Sequence, residues 1–279
     1  MRRYSTRFDG GMFKMLKTKR MSIVPTFVCT LRCRLCSNHM PAFQNPPRAS
    51  VEEMKADIDA LFALFDHIEW LQFVGGEIFT HKHLDEVFDY CKQYDGRFDR
   101  LIVETNATVL PTDKELRSLL SYGRKLKVMI SDYGDLSKAR DRFAAILEEN
   151  HIEYVLKKYY GDLGDQHFGG WIDNTACRDL LEPDDYVTRQ AAQCAQVRLE
   201  NMHVFCGKLH RCSNSLFLSE LGVCVPNRGD YVELHDSTTR EEKRETIRRF
   251  YDYPRKSCHY CTWKSGDSAA RHGAAEQEK

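Results

Sequence analysis

Three cysteines stand close together near the start of the chain. Cys29, Cys33 and Cys36 follow the apolar residues Phe27 and Val28 in a C-x3-C-x2-C spacing. Thiolates are the usual ligands of iron–sulfur clusters, and three at this spacing can hold three corners of a four-iron cluster. The fourth iron then has no protein ligand, which leaves an open coordination position for chemistry. The spacing therefore predicts a reactive iron–sulfur site.

A second motif follows an apolar run of strand length. Gly75, Gly76 and Glu77 directly follow an apolar run over 70–74. Together the two motifs resemble the radical S-adenosylmethionine (SAM) enzymes, although Leu35 stands where that family usually has an aromatic residue. In the family the open iron binds SAM, and an electron from the cluster cleaves it to methionine and a 5′-deoxyadenosyl radical. The resemblance implies that Gly75, Gly76 and Glu77 bind the methionine part, with Glu77 on its amine.

The C-terminal part carries another cysteine set. Cys194, Gly207 and Cys212 have a C-x12-G-x4-C spacing, and Cys258 and Cys261 follow as C-x2-C. The segment 202–212 is typical of a hairpin that turns at Gly207. The set resembles the shorter, twitch type of the SPASM extensions, which implies one auxiliary [4Fe–4S] cluster held by all four cysteines and two [4Fe–4S] clusters in total. A structural zinc site with four sulfurs, or simply buried thiols, is the alternative.

Four cysteines remain outside these motifs. Cys91 belongs to a helical apolar stripe and is expected in the core. Cys177, Cys206 and Cys224 are each more often buried thiols than catalytic groups, but together they make a hydrogen-atom donor plausible. Cys206 is the preferred donor because it stands beside Gly207.

Further SAM contacts are expected where strands end. Thr105 and Asn106 end the third predicted strand, and Ser131, followed by Asp132, ends the fourth. The family often contacts the SAM ribose from the end of the fourth strand, and many of its members carry Thr-Asn-Gly at the end of the third, where this chain has Ala107 in the third place. The same residues are also common turn residues that satisfy local backbone groups.

The elements that must position these residues alternate along the chain. Five strands are predicted, over 21–28, 69–74, 100–105, 127–131 and 153–157, with helices between them. Ser50 with Glu53 and Thr112 with Glu115 are typical of capping boxes at two helix starts. Strand–helix alternation implies parallel strands with right-handed crossovers, so the fold class is α/β. The resemblance implies a partial (β/α)6 barrel with the site at the carboxyl ends of its strands.

The chain divides into four expected regions. Residues 1–20 are a basic lead-in, 21–190 form the radical SAM partial barrel, 191–264 form the twitch-type region and 265–279 are a disordered tail. Within the barrel, 161–185 is a glycine-rich loop, which is equally compatible with a binding loop and with an irregular connection. If that loop faces the site, Trp171 can stack on a sugar or another ring.

Composition limits the possible partners. The chain has 41 basic and 41 acidic residues, so charge does not drive it to nucleic acid or to a membrane. The sequence contains no run long enough to span a bilayer and no signal peptide, and we expect a cytoplasmic protein. Eleven cysteines in such a protein indicate metal ligation or thiol chemistry, not disulfides.

The function expected from the resemblance is hydrogen abstraction from a carbinol carbon of a sugar-like or aminocyclitol substrate, free or in a glycoconjugate, with a flavodoxin- or ferredoxin-type reductant. Epimerisation is the first choice because spare thiols are available, and dehydrogenation with the auxiliary cluster as electron acceptor is the second. A peptide-modifying maturase is a third possibility. The position of Cys29 counts modestly against a maturase, because it leaves little room upstream for a leader-binding domain. A non-catalytic iron–sulfur or zinc protein is the fourth.

Overall fold

A single sheet runs through the part of the chain that the computed structural model describes, which is residues 15–227, 229–252, 254–262 and 270–278. Its strands within those ranges are β1 (Lys17–Ile23), β2 (His67–Phe73), β3 (Phe98–Thr105), β4 (Leu126–Asp132), β5 (Glu153–Lys158), β6 (Asn201–Phe205), β7 (Lys208–His210) and β8 (Tyr231–Glu233). Their order across the sheet is β5-β4-β3-β2-β1-β6-β7-β8.

The first half of the sheet is built from parallel β/α units. Strands β1 to β5 pair in parallel, each with the next. The connections contain the helices α1 (Val51–Leu64), α2 (Leu84–Cys91), α3 (Asp113–Leu120) and α4 (Arg140–Glu149). Five parallel strands in sequence order bring their carboxyl ends to one edge, where a site is expected.

Local sequence signals explain where these helices begin and which face they bury. The capping boxes of Ser50 with Glu53 and of Thr112 with Glu115 are both present, so these predictions are confirmed. Along α1 the residues Met54, Ile58, Leu61 and Phe62 are buried, as their helical spacing predicts. Burial of such side chains contributes about 1.5–3 kcal/mol each and fixes the helix on the sheet.

The C-terminal half extends the same sheet. It contains α5 (Asp184–Ala192), α6 (Ala195–Leu199), α7 (Ser213–Glu220) and α8 (Arg240–Arg248). Strand β6 pairs in parallel with β1, while β7 and β8 follow in antiparallel pairing. Phe205 pairs with Lys208 across the turn of Cys206 and Gly207, so the predicted hairpin is confirmed.

The predicted α/β class with a mostly parallel sheet is confirmed, and the sheet is consistent with a partial barrel. Its sixth parallel strand, however, lies beside β1 and not beside β5. The burial of the strands explains this position. Strand β5 has no buried residue, as is typical of an edge strand, whereas four of the five residues of β6 are buried.

Two contacts fasten the C-terminal extension to the barrel. The Phe27 ring lies 4.6 Å from the Phe205 ring and 4.9 Å from the Phe217 ring, measured between centroids. The buried Asp57 carboxylate on α1 accepts hydrogen bonds from the Gly207 N–H at 3.0 Å and from His235 Nε2 at 2.8 Å. The glycine of the C-terminal motif is therefore held by a helix of the barrel.

The ends of the chain differ from the expected boundaries. Strand β1 begins at Lys17, inside the predicted lead-in, because it pairs with β2 from that residue onward; residues 1–14 of the lead-in lie outside the described residues. Residues 270–278 of the predicted disordered tail are packed against the cysteine loop after β1, where Arg32 and Arg34 offer ion-pair partners to Glu278 and Glu276. The remaining tail residues, 265–269 and 279, lie outside the described ranges.

Membrane-spanning helices were also sought. Among the residues that the structure describes, no helix has the length and apolar character needed to cross a bilayer.

Candidate active site

A pocket opens at the carboxyl ends of β1 to β5. It is bounded by the cysteine loop after β1, by the residues that end the next four strands, and by one aromatic residue of the glycine-rich loop. The residues lining it are Cys29, Leu31, Cys33, Cys36, Ser37, Asn38, Met40, Val74, Gly75, Gly76, Glu104, Thr105, Asn106, Ser131, Tyr133, Lys157, Tyr159 and Trp171. The structure therefore brings the predicted cluster cysteines and most of the predicted SAM contacts into one cavity.

The three N-terminal cysteines share one wall of this pocket. Burial raises the pKa of Cys29 to about 11 and that of Cys33 to about 12, and it also raises the pKa of Cys36. Three buried neutral thiols need a cation to become thiolates, and a bound metal supplies that charge. The donor set therefore fits an iron–sulfur cluster held by Cys29, Cys33 and Cys36.

The two glycines after β2 allow the chain to approach the cysteine segment closely. A side chain at Gly75 would place its Cβ 2.5 Å from Thr26 O, and one at Gly76 would place it 2.2 Å from Val28 O. The Gly76 N–H donates to Thr26 O at 3.0 Å. Glycine is required here because backbone lies against backbone, and this contact fixes the segment that leads into Cys29.

Glu77 lies behind the pocket wall. It is 0% exposed, and its carboxylate accepts hydrogen bonds from the Thr105 hydroxyl at 2.8 Å, the Asn106 N–H at 2.8 Å and the Phe79 N–H at 3.2 Å. Burial nevertheless raises the pKa of Glu77 to about 7. Both oxygens are used within the chain, so the structure shows Glu77 bracing the end of β3, and its predicted contact with the methionine amine stays a prediction.

The other predicted SAM contacts, of which Ser131 is the expected ribose contact, lie in the pocket. Thr105, Asn106 and Ser131 all line the pocket. Asn106 also reaches the cysteines, since its Nδ2 donates to Cys29 Sγ at 3.6 Å. These residues are held in place by the Glu77 brace and by the Ser137 hydroxyl, which donates to Asn106 O at 2.7 Å.

Several pocket residues are not among those predicted from the sequence, and four of them carry charged or phenolic side chains. Glu104 and Lys157 stand at the ends of β3 and β5 with 3.7 Å between Oε2 and Nζ, and Tyr133 and Tyr159 stack with ring centroids 5.5 Å apart. The rule that residues at the carboxyl ends of parallel strands form the site was a signal that could have found them.

The glycine-rich loop supplies an aromatic wall. Trp171 lines the pocket and packs edge-on against Tyr133 and Tyr159, with centroid distances of 5.8 Å and 6.0 Å. The loop therefore faces the site, which is the condition under which the sequence analysis gave Trp171 a stacking role.

The C-terminal cysteines come from three segments. Cys194 precedes α6 and Cys212 precedes α7, where its sulfur accepts from the Ser215 N–H at 3.5 Å. Cys258 and Cys261 belong to one short 3₁₀ turn, in which the Cys261 N–H donates to Cys258 O at 3.3 Å.

These sulfurs influence one another. Burial raises the pKa of Cys212 to about 12, and the nearby thiols of Cys258 and Cys194 raise it further. Cys258 Sγ accepts from the Arg255 N–H at 3.4 Å and from Arg211 Nη1 at 3.6 Å, as a thiolate would require. Over the described residues, no three His, Cys, Asp or Glu side chains are arranged to hold a single metal ion.

The three spare cysteines lie in different places. Cys206 lies beside Glu53 and Asp57 at the start of α1 and does not line the pocket. Cys224 is 1% exposed, and Cys258 is among the groups that raise its pKa. The structure therefore does not bring Cys206, Cys224 and Cys177 together.

Cys177, which like Cys206 does not line the pocket, is part of a hydrogen-bonded array with His39 and Asn214. Its Sγ lies 3.3 Å from His39 Nδ1, and His39 Nε2 lies 3.1 Å from Asn214 Oδ1. Burial lowers the pKa of His39 and raises that of Cys177, so imidazole and thiol are both neutral. Asn214 can only accept at Oδ1, which places the imidazole proton on Nε2 and leaves Nδ1 to accept from the Cys177 S–H. Asn38 and Met40, on either side of His39, line the pocket.

Comparison with known proteins assigns the first half of the chain. Residues 23–151 match the family model of the Radical SAM superfamily. Over 127 residues the chain is 32% identical to the antilisterial bacteriocin subtilosin biosynthesis protein AlbA of Bacillus subtilis (strain 168), a match that covers 44% of this chain and 27% of AlbA. The chain thus spans about a quarter of that relative.

Solved structures resemble the fold more widely. The crystal structure of BtrN in complex with AdoMet and 2-DOIA is 19% identical and covers 93% of this chain and 99% of that chain, with a TM-score of 0.52. The crystal structure of Streptococcus suis SuiB is 11% identical and covers 85% of this chain and 67% of that chain, with a TM-score of 0.46. The likeness to BtrN shows a shared fold over nearly the whole length of both chains.

Proposed function

The chain belongs to the radical SAM superfamily through residues 23–151, and we propose that it abstracts a hydrogen atom from a carbinol carbon of a sugar-like substrate and inverts that centre. The observation that carries this proposal is one pocket lined both by three cysteine thiols and by a polar and aromatic wall.

The first part of the proposal concerns SAM. Cys29, Cys33 and Cys36 would hold a [4Fe–4S] cluster, which, when bound with SAM and reduced, supplies the 5′-deoxyadenosyl radical. Gly75 and Gly76 have no side chains, so their backbone groups would be exposed to SAM at the wall of its site. Asn106 and Ser131 would present polar groups to the bound cofactor.

The second part concerns the substrate. Trp171 and Tyr159 provide aromatic faces, against which the apolar face of a sugar or cyclitol ring can stack. Lys157 and Glu104 provide a donor and an acceptor for ring hydroxyls. This combination of aromatic faces and charged hydrogen-bonding groups supports a polyhydroxylated ring as substrate.

The third part concerns the return of hydrogen. Cys177 is the donor that the contacts favour, since its thiol is held by His39, whose neighbours in the chain, Asn38 and Met40, line the pocket. Transfer of the S–H hydrogen atom to the carbon radical forms a C–H bond and leaves a thiyl radical. One electron from a flavodoxin- or ferredoxin-type protein and one proton from solvent restore the thiol, so atoms and electrons balance.

The fourth part is the auxiliary cluster. Cys194, Cys212, Cys258 and Cys261 would hold a second [4Fe–4S] cluster, and the two arginine contacts to Cys258 Sγ would stabilise its thiolate.

The test is the reaction in deuterated buffer with anaerobically reconstituted enzyme, SAM, a reductant and candidate nucleotide sugars and aminocyclitols. We expect 5′-deoxyadenosine and one solvent deuterium on the inverted carbon. Cys177→Ala should stop inversion while SAM cleavage continues, and Cys206→Ala, remote from the pocket, is the matched control that keeps both. SAM cleavage by a Cys29, Cys33 and Cys36 triple alanine variant would refute the assignment.

Dehydrogenation is the second candidate. It is favoured by the four C-terminal cysteines, since an auxiliary cluster held by them could accept the electron that the substrate radical loses. A ketone product without deuterium at the reacting carbon would establish it and would make Cys177 a bystander. Modification of a peptide, suggested by the biosynthetic role in the name of AlbA, would show as turnover of a peptide and not of a sugar.

A further inference from the structure

The segment 270–278, here called the strap, pairs with the cysteine loop as an added strand would. The Arg34 N–H donates to Glu276 O at 2.7 Å, and the Glu278 N–H donates to Arg32 O at 2.7 Å. The side chains repeat this pairing, with Arg34 2.5 Å from Glu276 and Arg32 3.0 Å from Glu278. Since these ion pairs are exposed and worth little, the backbone pairing is the specific part of the contact.

The other end of the strap is held by the loop that carries Trp171. The Trp171 N–H donates to His272 O at 2.9 Å, and the His272 N–H donates to Trp171 O at 2.9 Å. The Ala274 N–H donates to Gln166 Oε1 at 3.1 Å. The strap thus connects the cysteine loop to the aromatic wall of the pocket.

Between these anchors, the Gln277 side chain is fully hydrogen-bonded in one orientation. Its Oε1 accepts from the Arg32 N–H at 2.8 Å, which forces Nε2 to the other side. Nε2 has two hydrogens: one is donated to Ala275 O at 2.7 Å and the other to Cys33 Sγ at 3.3 Å. In the flipped orientation, Gln277 Nε2 and the Arg32 N–H would be two donors facing each other. The Arg32 N–H therefore fixes the orientation in which Nε2 contacts the sulfur.

We infer that Gln277 is a positioning residue of the cluster at Cys29, Cys33 and Cys36, and that its N–H bond to Cys33 raises the reduction potential of that cluster. The inference rests on the proposed function only for the presence of the cluster. Cys33 is 6% exposed, so few water molecules compete with the amide for its sulfur.

The direction of the effect follows from charge. The reduced cluster carries one more negative charge than the oxidised cluster, and this charge is partly located on the sulfurs. A donor aimed at a ligand sulfur therefore stabilises the reduced form more. A hydrogen bond to a charged group is among the stronger hydrogen bonds of a protein, and part of its free energy differs between the two redox states.

The experiment is a potentiometric titration of the holoenzyme, monitored by electron paramagnetic resonance. The cluster at Cys29, Cys33 and Cys36 is identified by the signal that changes when SAM is added. At a potential near the wild-type midpoint, Gln277→Met should lower the ratio of reduced to oxidised cluster by roughly threefold to tenfold. Gln277→Glu keeps the acceptor for the Arg32 N–H and replaces the donor, so it should lower the ratio as well.

The matched control is Glu278→Gln, which removes an exposed ion pair of the strap and leaves the Gln277 amide in place. It should keep the wild-type midpoint. An unchanged midpoint in both Gln277 variants, or an equal shift in the control, overturns the inference while the cluster remains. A wild-type protein that binds no iron overturns the proposed function, and this inference with it.

Discussion

Replacing Glu77 with glutamine tests whether burial controls the protonation of this carboxyl group. Burial raises its pKa from 4.5 to about 7, although hydrogen bonds from Asn106, Thr105 and Phe79 favour the charged form. A rise of this size means that folding favours the protonated acid over the carboxylate by about 3 kcal/mol, compared with the unfolded chain. An effect of about 3 kcal/mol equals that of a strongly destabilising substitution.

The sign of the pH dependence follows from the raised pKa. Because the unfolded chain ionises first, the stability contributed by this group is complete below pH 4.5 and is lost as the pH rises through about 7. Glu77→Gln cannot ionise, so its altered hydrogen bonds change stability by an amount that does not depend on pH. The free energy of unfolding of the wild type minus that of the variant should therefore fall by about 3 kcal/mol between pH 4.5 and a pH above 7.

The assay is urea unfolding of the metal-free protein by circular dichroism across this range, under reducing anaerobic conditions. Infrared spectroscopy of the folded protein adds a direct reading, since the wild-type-minus-variant difference spectrum at pH 5 should contain the carbonyl band of a protonated acid. Glu53→Gln is the matched control of opposite sign. Hydrogen bonds from Ser50 hold the pKa of Glu53 below its usual value. The free energy of unfolding of the wild type minus that of Glu53→Gln should therefore fall as the pH is lowered. The reasoning is refuted if the free energy of unfolding of the wild type minus that of Glu77→Gln stays constant or rises with pH.

Three further predictions concern the rest of the fold. Alanine at Cys258 and Cys261 should lower both iron content and the thermal midpoint, because the proposed auxiliary cluster would join distant segments; elemental analysis and calorimetry check this, and unchanged iron with one zinc per chain would contradict it. Asp57→Ala should destabilise the chain by about 1–3 kcal/mol in urea, since the buried N–H of Gly207 loses its acceptor; an unchanged midpoint would count against that contact. Burial lowers the pKa of His203 to about 4, so stability should fall as the pH drops from 6.5 toward 4. His203→Phe should remove that part of the acid sensitivity in thermal melts, and a variant as acid-sensitive as the wild type would disprove it.

Much of the barrel could be predicted because its signals are local. The helix caps at Ser50 and Thr112 and the turn at Gly207 are each set by residues a few positions apart. The cysteine spacing and the two glycines before Glu77 identify the pocket for the same reason, since each motif acts over a few residues of backbone.

The rest depends on contacts between distant residues. The strap is polar and charged, a composition typical of disorder, and only the fold brings Glu276 opposite Arg34. The position of β6 depends on which edge of the sheet is apolar. His39 and Cys177 are 138 residues apart, and nothing near either residue indicates that they meet. The donor preferred from sequence, Cys206, was chosen for its neighbour in the chain.

The pairing of β6 with β1 also determines how far this protein can be treated as modular. A chain cut before β6 would leave β1 as an open strand edge, and the buried residues Met21 and Ile23 would lose the neighbours that cover them. Open apolar edges recruit other chains, so such a fragment would tend to aggregate. A chimera that exchanges the C-terminal extension for another would need to bring its own strand to this edge. The two cysteine regions must therefore be kept together in any redesign, because a continuous ladder of backbone hydrogen bonds joins them.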